Sequence, residues 1–305
     1  MAFPVPPPGS LVVLGPALLD HVRGPGPALS WSHPGGNGLV FAGTAALLGA
    51  PVIFVGQRGD DGVGRALCAH LARHGVQIHA YRPVPGLTTK EAHIALEADG
   101  GWRTLSSTPA RFPYLPRPAL PTGAERVQIM GLTSLLRACP AELSAWIAGI
   151  RLAGLPLGFG LNALEPAEAP AVDALVGAGD AVFCNAGEWW AWRGQRVGPR
   201  DALTGGPTGD LVVSLGADGV LVRPAGGPTF HRPAPRVPAR CTIGAGDVLC
   251  AATVTLRAAG LSLHEAIDEA QALAASRVTD LRWDDWAAQE PVRLAHLRGL
   301  ISRSA

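Results

Sequence analysis

The sequence predicts an α/β fold: a doubly wound, mostly parallel sheet flanked by helices, with a small β lid. Three observations predict it. Short apolar runs alternate with helix-like stretches that stop at glycine, two further segments alternate apolar with polar residues, and a glycine loop opens a wholly apolar stretch late in the chain.

The first strand is Leu11-Val12-Val13-Leu14. The stretch from Gly38 to Gly56 has no charged residue and is long enough to raise the question of a membrane span. Gly49-Ala50-Pro51 cuts it, however, so a helix over 40–49 feeds a buried strand, Val52-Ile53-Phe54-Val55. Later strands are Val127–Met130, Leu155–Leu161, Ala181–Phe183 and Leu211–Leu215, each apolar on both faces as a helix-covered parallel strand must be. Helices are expected over 62–74, 140–153, 169–177, 247–259 and 263–278; Gly49, Gly75, Gly154 and Gly260 supply stops. The alternating segments, Leu18–Trp31 and Lys90–Ser106, include the hairpin turn Asp99-Gly100-Gly101. One wet face and one dry face suit a lid, set at about 18–34 and 88–107 of a single domain over 1–305. Proline clusters at 109–121 and 224–238 read as ordered connections.

Composition narrows the function. Lys+Arg 25 against Asp+Glu 24 leaves a formal charge of +1, so nothing electrostatic favours nucleic acid or an anionic membrane. Five cysteines without C-x-x-C spacing, and a proline-rich start unlike a signal peptide, read as a reduced, cytoplasmic protein.

The most informative segment is Cys241-Thr242-Ile243-Gly244-Ala245-Gly246-Asp247, followed by the apolar stretch Val248–Val254. Its glycines let several N–H groups point one way at the positive end of a buried helix, which makes an anion cradle ending in a carboxylate. A base taking a hydroxyl proton beside a held phosphoryl group has use for that arrangement. The alternative is a tight loop with an Asp in the first helical turn, where Asp caps well.

Four ordered blocks resemble the ribokinase-like (PfkB-type) carbohydrate kinases. They are Gly35-Gly36-Asn37-Gly38 running on to Gly56–Gly64, then Asn185-Ala186-Gly187-Glu188 (like N-x-x-E), then Ser214-Leu215-Gly216-Ala217-Asp218-Gly219 (like T-L-G-x-x-G), then Thr242–Asp247 (like D-T-x-G-A-G-D without its first Asp). The resemblance implies ATP- and Mg²⁺-dependent phosphoryl transfer to a hydroxyl of a small sugar or polyol. It makes Asp247 the base, kept ionised by the helix dipole, and Gly244, Ala245 and Gly246 the anion hole. Asn185 and Glu188 organise Mg²⁺ through water, although Asn at a strand end and Glu at a helix start are also ordinary caps. Ser214, Gly216, Gly219 and Gln271 take the nucleotide side, Asn162 lies near the phosphates, and Asp20, Gly35, Gly36 and Asn37 take the acceptor. Lids in such kinases often pair between subunits, which would give a homodimer through the lid.

Three departures bear on this reading. Cys241 replaces the Asp that helps bind a monovalent cation in many relatives, and Asp280-Leu281-Arg282-Trp283 replaces the turn that completes that site, so no such cation is expected. Val40 replaces an Asn that bonds sugar hydroxyls, a loss Asn37 could offset. Gly131-Leu132-Thr133 lacks an acidic residue some relatives have, which moves the acceptor away from ribose itself.

Other constellations carry less. His70 and His74 share a helix face near Cys68, but no third or fourth metal ligand is evident, so solvated helix residues are expected. Trp189, Trp190 and Trp192 read as helix packing or a dimer contact, Asp60-Asp61 as a surface turn, and Lys90 and Arg103 as either contacts to a sugar phosphate or lid solubility. A dinucleotide dehydrogenase would need G-x-G-x-x-G after the first strand, where Gly15-Pro16-Ala17-Leu18 stands. The remaining alternatives are a nucleoside kinase of the same fold and a kinase-like protein that binds sugar or nucleotide without turnover. Asp247, Asn185 and Glu188 argue against the last, because binding alone has little need of a base.

Overall fold

The computed structural model describes residues 9–26, 29–107, 113–177 and 179–304. Residues 27–28 of the first lid segment and 109–112 of the first proline cluster lie outside the described residues. In chain order the strands are β1 Ser10–Leu14, β2 Leu18–Arg23, β3 Ser30–Gly35, β4 Val52–Gly59, β5 Gln77–Val84, β6 Glu91–Leu96, β7 Trp102–Ser107, β8 Ala124–Met130, β9 Leu157–Gly160, β10 Ala181–Asn185, β11 Leu211–Ser214, β12 Val220–Arg223 and β13 Phe230–Arg232. The helices are α1 Asn37–Leu47, α2 Gly62–Arg73, α3 Leu132–Ala138, α4 Pro140–Leu152, α5 Ala169–Leu175, α6 Ala186–Arg193, α7 Ala245–Ala258, α8 Leu263–Arg277, α9 Trp283–Gln289 and α10 Pro291–Ser304.

The large sheet runs β13-β12-β11-β10-β9-β8-β1-β4-β5, and only the pairings of β12 and β13 are antiparallel. Strand alternation distributes the core to both faces. Leu11 and Val13 of β1 join a cluster built on α1, α2, α7 and α8, while Val12 and Leu14 join one built on α3 to α6. The uncharged stretch is therefore not a span: it divides into α1 and β4, and no helix among the described residues is long and apolar enough to cross a membrane.

The two alternating segments form a separate four-stranded sheet, β3-β2-β6-β7. Its centre is a parallel pairing of β2 with β6, flanked by antiparallel partners. Val22, Trp31, Ile94 and Leu96 make its dry side, packed on Cys241 and Ile243. Asp60-Asp61 does turn the chain after β4, but Asp61 also works structurally. It caps α2 through Gly64 N (2.7 Å) and accepts from Thr89 N and Oγ1 (2.5 and 2.7 Å), tying the base of β6 to α2.

Two expectations are corrected. His70 is not solvated: it is 1% exposed, because α2 turns that face toward Trp283. The chain beyond 278, without an assigned element from the sequence, forms α9 and α10, whose Trp286, Leu294 and Leu297 close the α1/α7/α8 core.

Candidate active site

The lid sheet faces the ends of β1, β8, β9 and β10 across a cleft of about 1130 Å³. Asp20, Asn37, Val40 and Lys90 line one end; Asn185, Ser214, Gly216, Gly219 and Gln271 line the other; Gly244 to Asp247 lie between.

Asp247 occupies the first turn of α7. Gly244, at φ 77, supplies the left-handed turn that starts the helix and leaves room for Val40, whose Cγ1 would stand 3.3 Å from a Cβ there. Ala245 N donates to Thr242 O at 3.2 Å, so its amide is already used. The next two amides, Gly246 N and Asp247 N, find no acceptor among the described residues, and a Cβ at Gly246 would meet open space. Of the amides expected to face an anion, that of Ala245 is therefore taken by the turn, while those of Gly246 and Asp247 stay open.

Asn37 Nδ2 donates to Asp247 Oδ1 at 2.9 Å, and Asn162 Nδ2 donates to Asn37 Oδ1 at 2.7 Å. Asn162 is held in turn by Ser134 Oγ (3.3 Å) and, through its carbonyl, by the Thr133 hydroxyl. Asp247 therefore sits at the end of a relay of amides. Although its surface is partly open to the cleft, burial pushes its pKa up to about 7, opposed by the Asn37 bond and reinforced by Glu188. The sequence expectation of a carboxylate kept ionised by the helix dipole meets a group whose charged form burial disfavours.

Asp20 is 5% exposed, and its pKa is also pushed up to about 7, by burial first and by the charge of Asp247 second, with Lys90 pulling it down. Lys90 Nζ stands 5.4 Å over the Tyr114 ring. Gly35 does not line the cleft. A Cβ there would overlap the Asp20 carboxyl, so the glycine is room for Asp20 and not a platform for ligand. Gly36, at φ 94, turns the chain over the Pro16 carbonyl and does line the cleft.

Asn185 and Glu188 form a reciprocal cap on α6 at 2.9 Å each way. The second oxygen of Glu188 accepts from Ala163 N at 2.9 Å. Ala163, at φ 47, is the one non-glycine residue with positive φ among the described residues, so Glu188 braces a strained turn beside Asn162. Burial raises Glu188's pKa. Each oxygen already accepts one backbone hydrogen bond and the residue lines the cleft, which fits a hydrated Mg²⁺ reached through water better than direct coordination.

At the end of the cleft expected to take the nucleotide, Gly216 (φ 63) is open, whereas Gly219 (φ 95) has no room for a side chain because the Arg232 carbonyl approaches it. Gln271, which lines the cleft, donates from Nε2 to the Arg232 and Pro233 carbonyls at 3.2 and 3.3 Å. Trp189 and Trp192 are buried in packing, and Trp190 is exposed.

The sequence reading missed the latch between lid and cradle. Thr242 donates from N and Oγ1 to Gly100 O at 2.9 and 3.0 Å, joining the hairpin turn to the anion loop. It also missed Arg277, 1% exposed beside Cys241, with Nη1 donating to Asp280 O at 2.8 Å. Neither has a local signal, since each depends on chain segments far apart in sequence.

Two unpaired helix amides and a buried carboxylate thus meet in one cleft under the small sheet of an α/β fold. Residues 30–282 match the pfkB family carbohydrate kinase profile, and the chain belongs to that family. It is 43% identical over 63 residues to the ribokinase of Bacillus subtilis (strain 168), a stretch spanning 21% of this chain and only 22% of that relative. The fold matches ribokinase from Cryptococcus neoformans var. grubii serotype A in complex with ADP, with TM-score 0.75, 20% identity, and 97% and 99% of the two chains covered. It also matches aminoimidazole riboside kinase from Salmonella enterica complexed with aminoimidazole riboside and an ATP analog, with TM-score 0.72, 25% identity, and 96% and 99% covered.

Proposed function

We propose that this protein transfers the terminal phosphoryl group of ATP to a hydroxyl of a small sugar or related polyol. The observation that carries the reading is Asp247: a carboxylate raised to about 7, beside two unpaired helix amides and fixed by Asn37. A base of that pKa accepts the hydroxyl proton as the new bond forms, while Gly246 N and Asp247 N hold the anionic oxygens. Asp20 and Lys90 bind and orient the acceptor; Ser214, Gly216 and Gln271 receive the nucleotide. Asn185 and Glu188 would hold Mg²⁺ through water, and that ion would supply neutralisation of phosphate charge. The lid excludes water that would compete with the acceptor. A monovalent cation is not needed, since the Arg277 guanidinium already stands buried behind the cradle next to Cys241.

A riboside acceptor is the second reading. Val40, Ile94 and Trp102 line the cleft with apolar surface that a base could use and a bare sugar would not need, and the aminoimidazole riboside kinase match belongs with it. The test is an ATP-consumption screen across sugars, ribosides and polyols. Turnover on one class, abolished in Asp247→Asn, supports the reading. Nucleotide binding without turnover on any acceptor would favour a binding protein instead.

A further inference from the structure

His70 lies in the last turn of α2 and His74 caps its C-terminus four residues on, while Asp284 sits in the first turn of α9. Asp284 Oδ1 is 3.6 Å from His70 Nδ1 and 3.5 Å from His74 Nε2, and one ligating atom from each residue falls within 4.8 Å of the others. Tetrahedral bonds of about 2.0–2.1 Å place ligand atoms about 3.3 Å apart, so the two contacts to Asp284 already have nearly the required span and the widest pair has only to close by side-chain rotation.

His70 supplies the second observation. It is 1% exposed, yet neither ring nitrogen has a hydrogen-bond partner. Buried imidazoles are ordinarily satisfied. The ring packs against Trp283 at 5.6 Å between centroids, and His74 meets the same indole edge-on at 4.8 Å, giving the cluster one dry wall. Asp284 is 44% exposed and opens the other side to solvent. None of the three lines the cleft.

We propose that His70, His74 and Asp284 form a site for a divalent transition-metal ion of the Zn²⁺ type, with water in the fourth position. Two imidazoles and one carboxylate favour such an ion over Mg²⁺ or Ca²⁺, which prefer all-oxygen sets. The ion would clamp α9 to α2. Trp283 transmits the clamp inward: its Nε1 donates to Thr44 Oγ1 at 3.2 Å, and its ring lies over Gly43, both on the helix that begins with Asn37.

The test uses the untagged full chain, stripped with chelator and titrated with ZnCl₂ by calorimetry and with CoCl₂ by visible absorption. Expected are one Zn²⁺ per chain, a raised melting temperature, and the d–d bands of four-coordinate Co²⁺. Millimolar Mg²⁺ should not compete. His74→Gln and Asp284→Asn, both on the open side, should each weaken binding by about 10–100-fold while leaving the metal-free melting temperature close to that of the parent chain. Absence of stoichiometric uptake overturns the proposal, as does uptake that both variants leave unchanged. Neither result bears on phosphoryl transfer, because no readout involves turnover.

Discussion

Asn37 Nδ2 lies 2.9 Å from Asp247 Oδ1, joining the first residue of α1 to the first turn of α7 across 210 positions of sequence. The bond fixes the carboxylate's rotamer and lowers its pKa against the larger effect of burial. Asn37 is thus placed to position the base, in addition to whatever it offers an acceptor.

Removing that bond should therefore do two things. Asn37→Ala should lower kcat by about 10–100-fold through misplacement of the carboxylate. It should also move the acidic limb of kcat/KM to higher pH, because an influence that lowers the Asp247 pKa has gone. A purely structural role for Asn37 would leave the limb where it is. Full pH profiles of both proteins check this.

The parent profile carries its own expectation. Asp247 must be ionised to accept a proton, so kcat/KM, which reports the free enzyme, should fall as pH drops through about 7. An acidic limb near pH 4 would mean that the carboxylate is not desolvated as the structure has it.

The same burial should affect stability. A carboxyl whose folded pKa is raised is tolerated while protonated, and its stabilising proton is lost as pH rises through the folded value. Asp247→Asn should accordingly raise the melting temperature of the ligand-free protein by a few degrees at pH 8, less at pH 5, and negligibly below about pH 4. Thermal melts at the three pH values check it.

Gly35→Ala should be destabilising, because the added methyl overlaps the Asp20 carboxyl in a closed site. Overpacking of this kind costs about 1–3 kcal/mol. Acceptor binding should weaken with it while nucleotide affinity is retained; chemical denaturation and separate titrations of the two ligands distinguish the effects.

Potassium and sodium salts at equal ionic strength should support the same rate. The buried Arg277 beside Cys241 already places a positive charge behind the cradle. A several-fold gain in potassium contradicts this.

The fold was largely legible because its central strands are buried on both faces and read as unbroken apolar runs, as with Val12–Leu14 and Val52–Val55. The strands toward the two ends of the sheet were not. β12 and β13 are four and three residues long, and β5 carries Pro83 and Arg82, so none shows a clear period. The glycine cradle and the Asn185–Glu188 cap were visible because each is a local motif. Asp284 beside His70, Gly100 under Thr242 and Arg277 behind Cys241 were invisible, since each pair meets only when distant elements pack. Gly35 was seen but misread: a glycine demanded by a buried neighbour looks, in sequence, like one demanded by a ligand.

The most direct measurement is single-turnover phosphoryl transfer by the parent chain and Asp247→Asn, with saturating nucleotide and the acceptor returned by the screen. Loss of about 10²–10⁴-fold in rate, with nucleotide affinity unchanged, is the predicted result. A variant that transfers the phosphoryl group within a few-fold of the parent rate would remove Asp247 as the base and contradict the account.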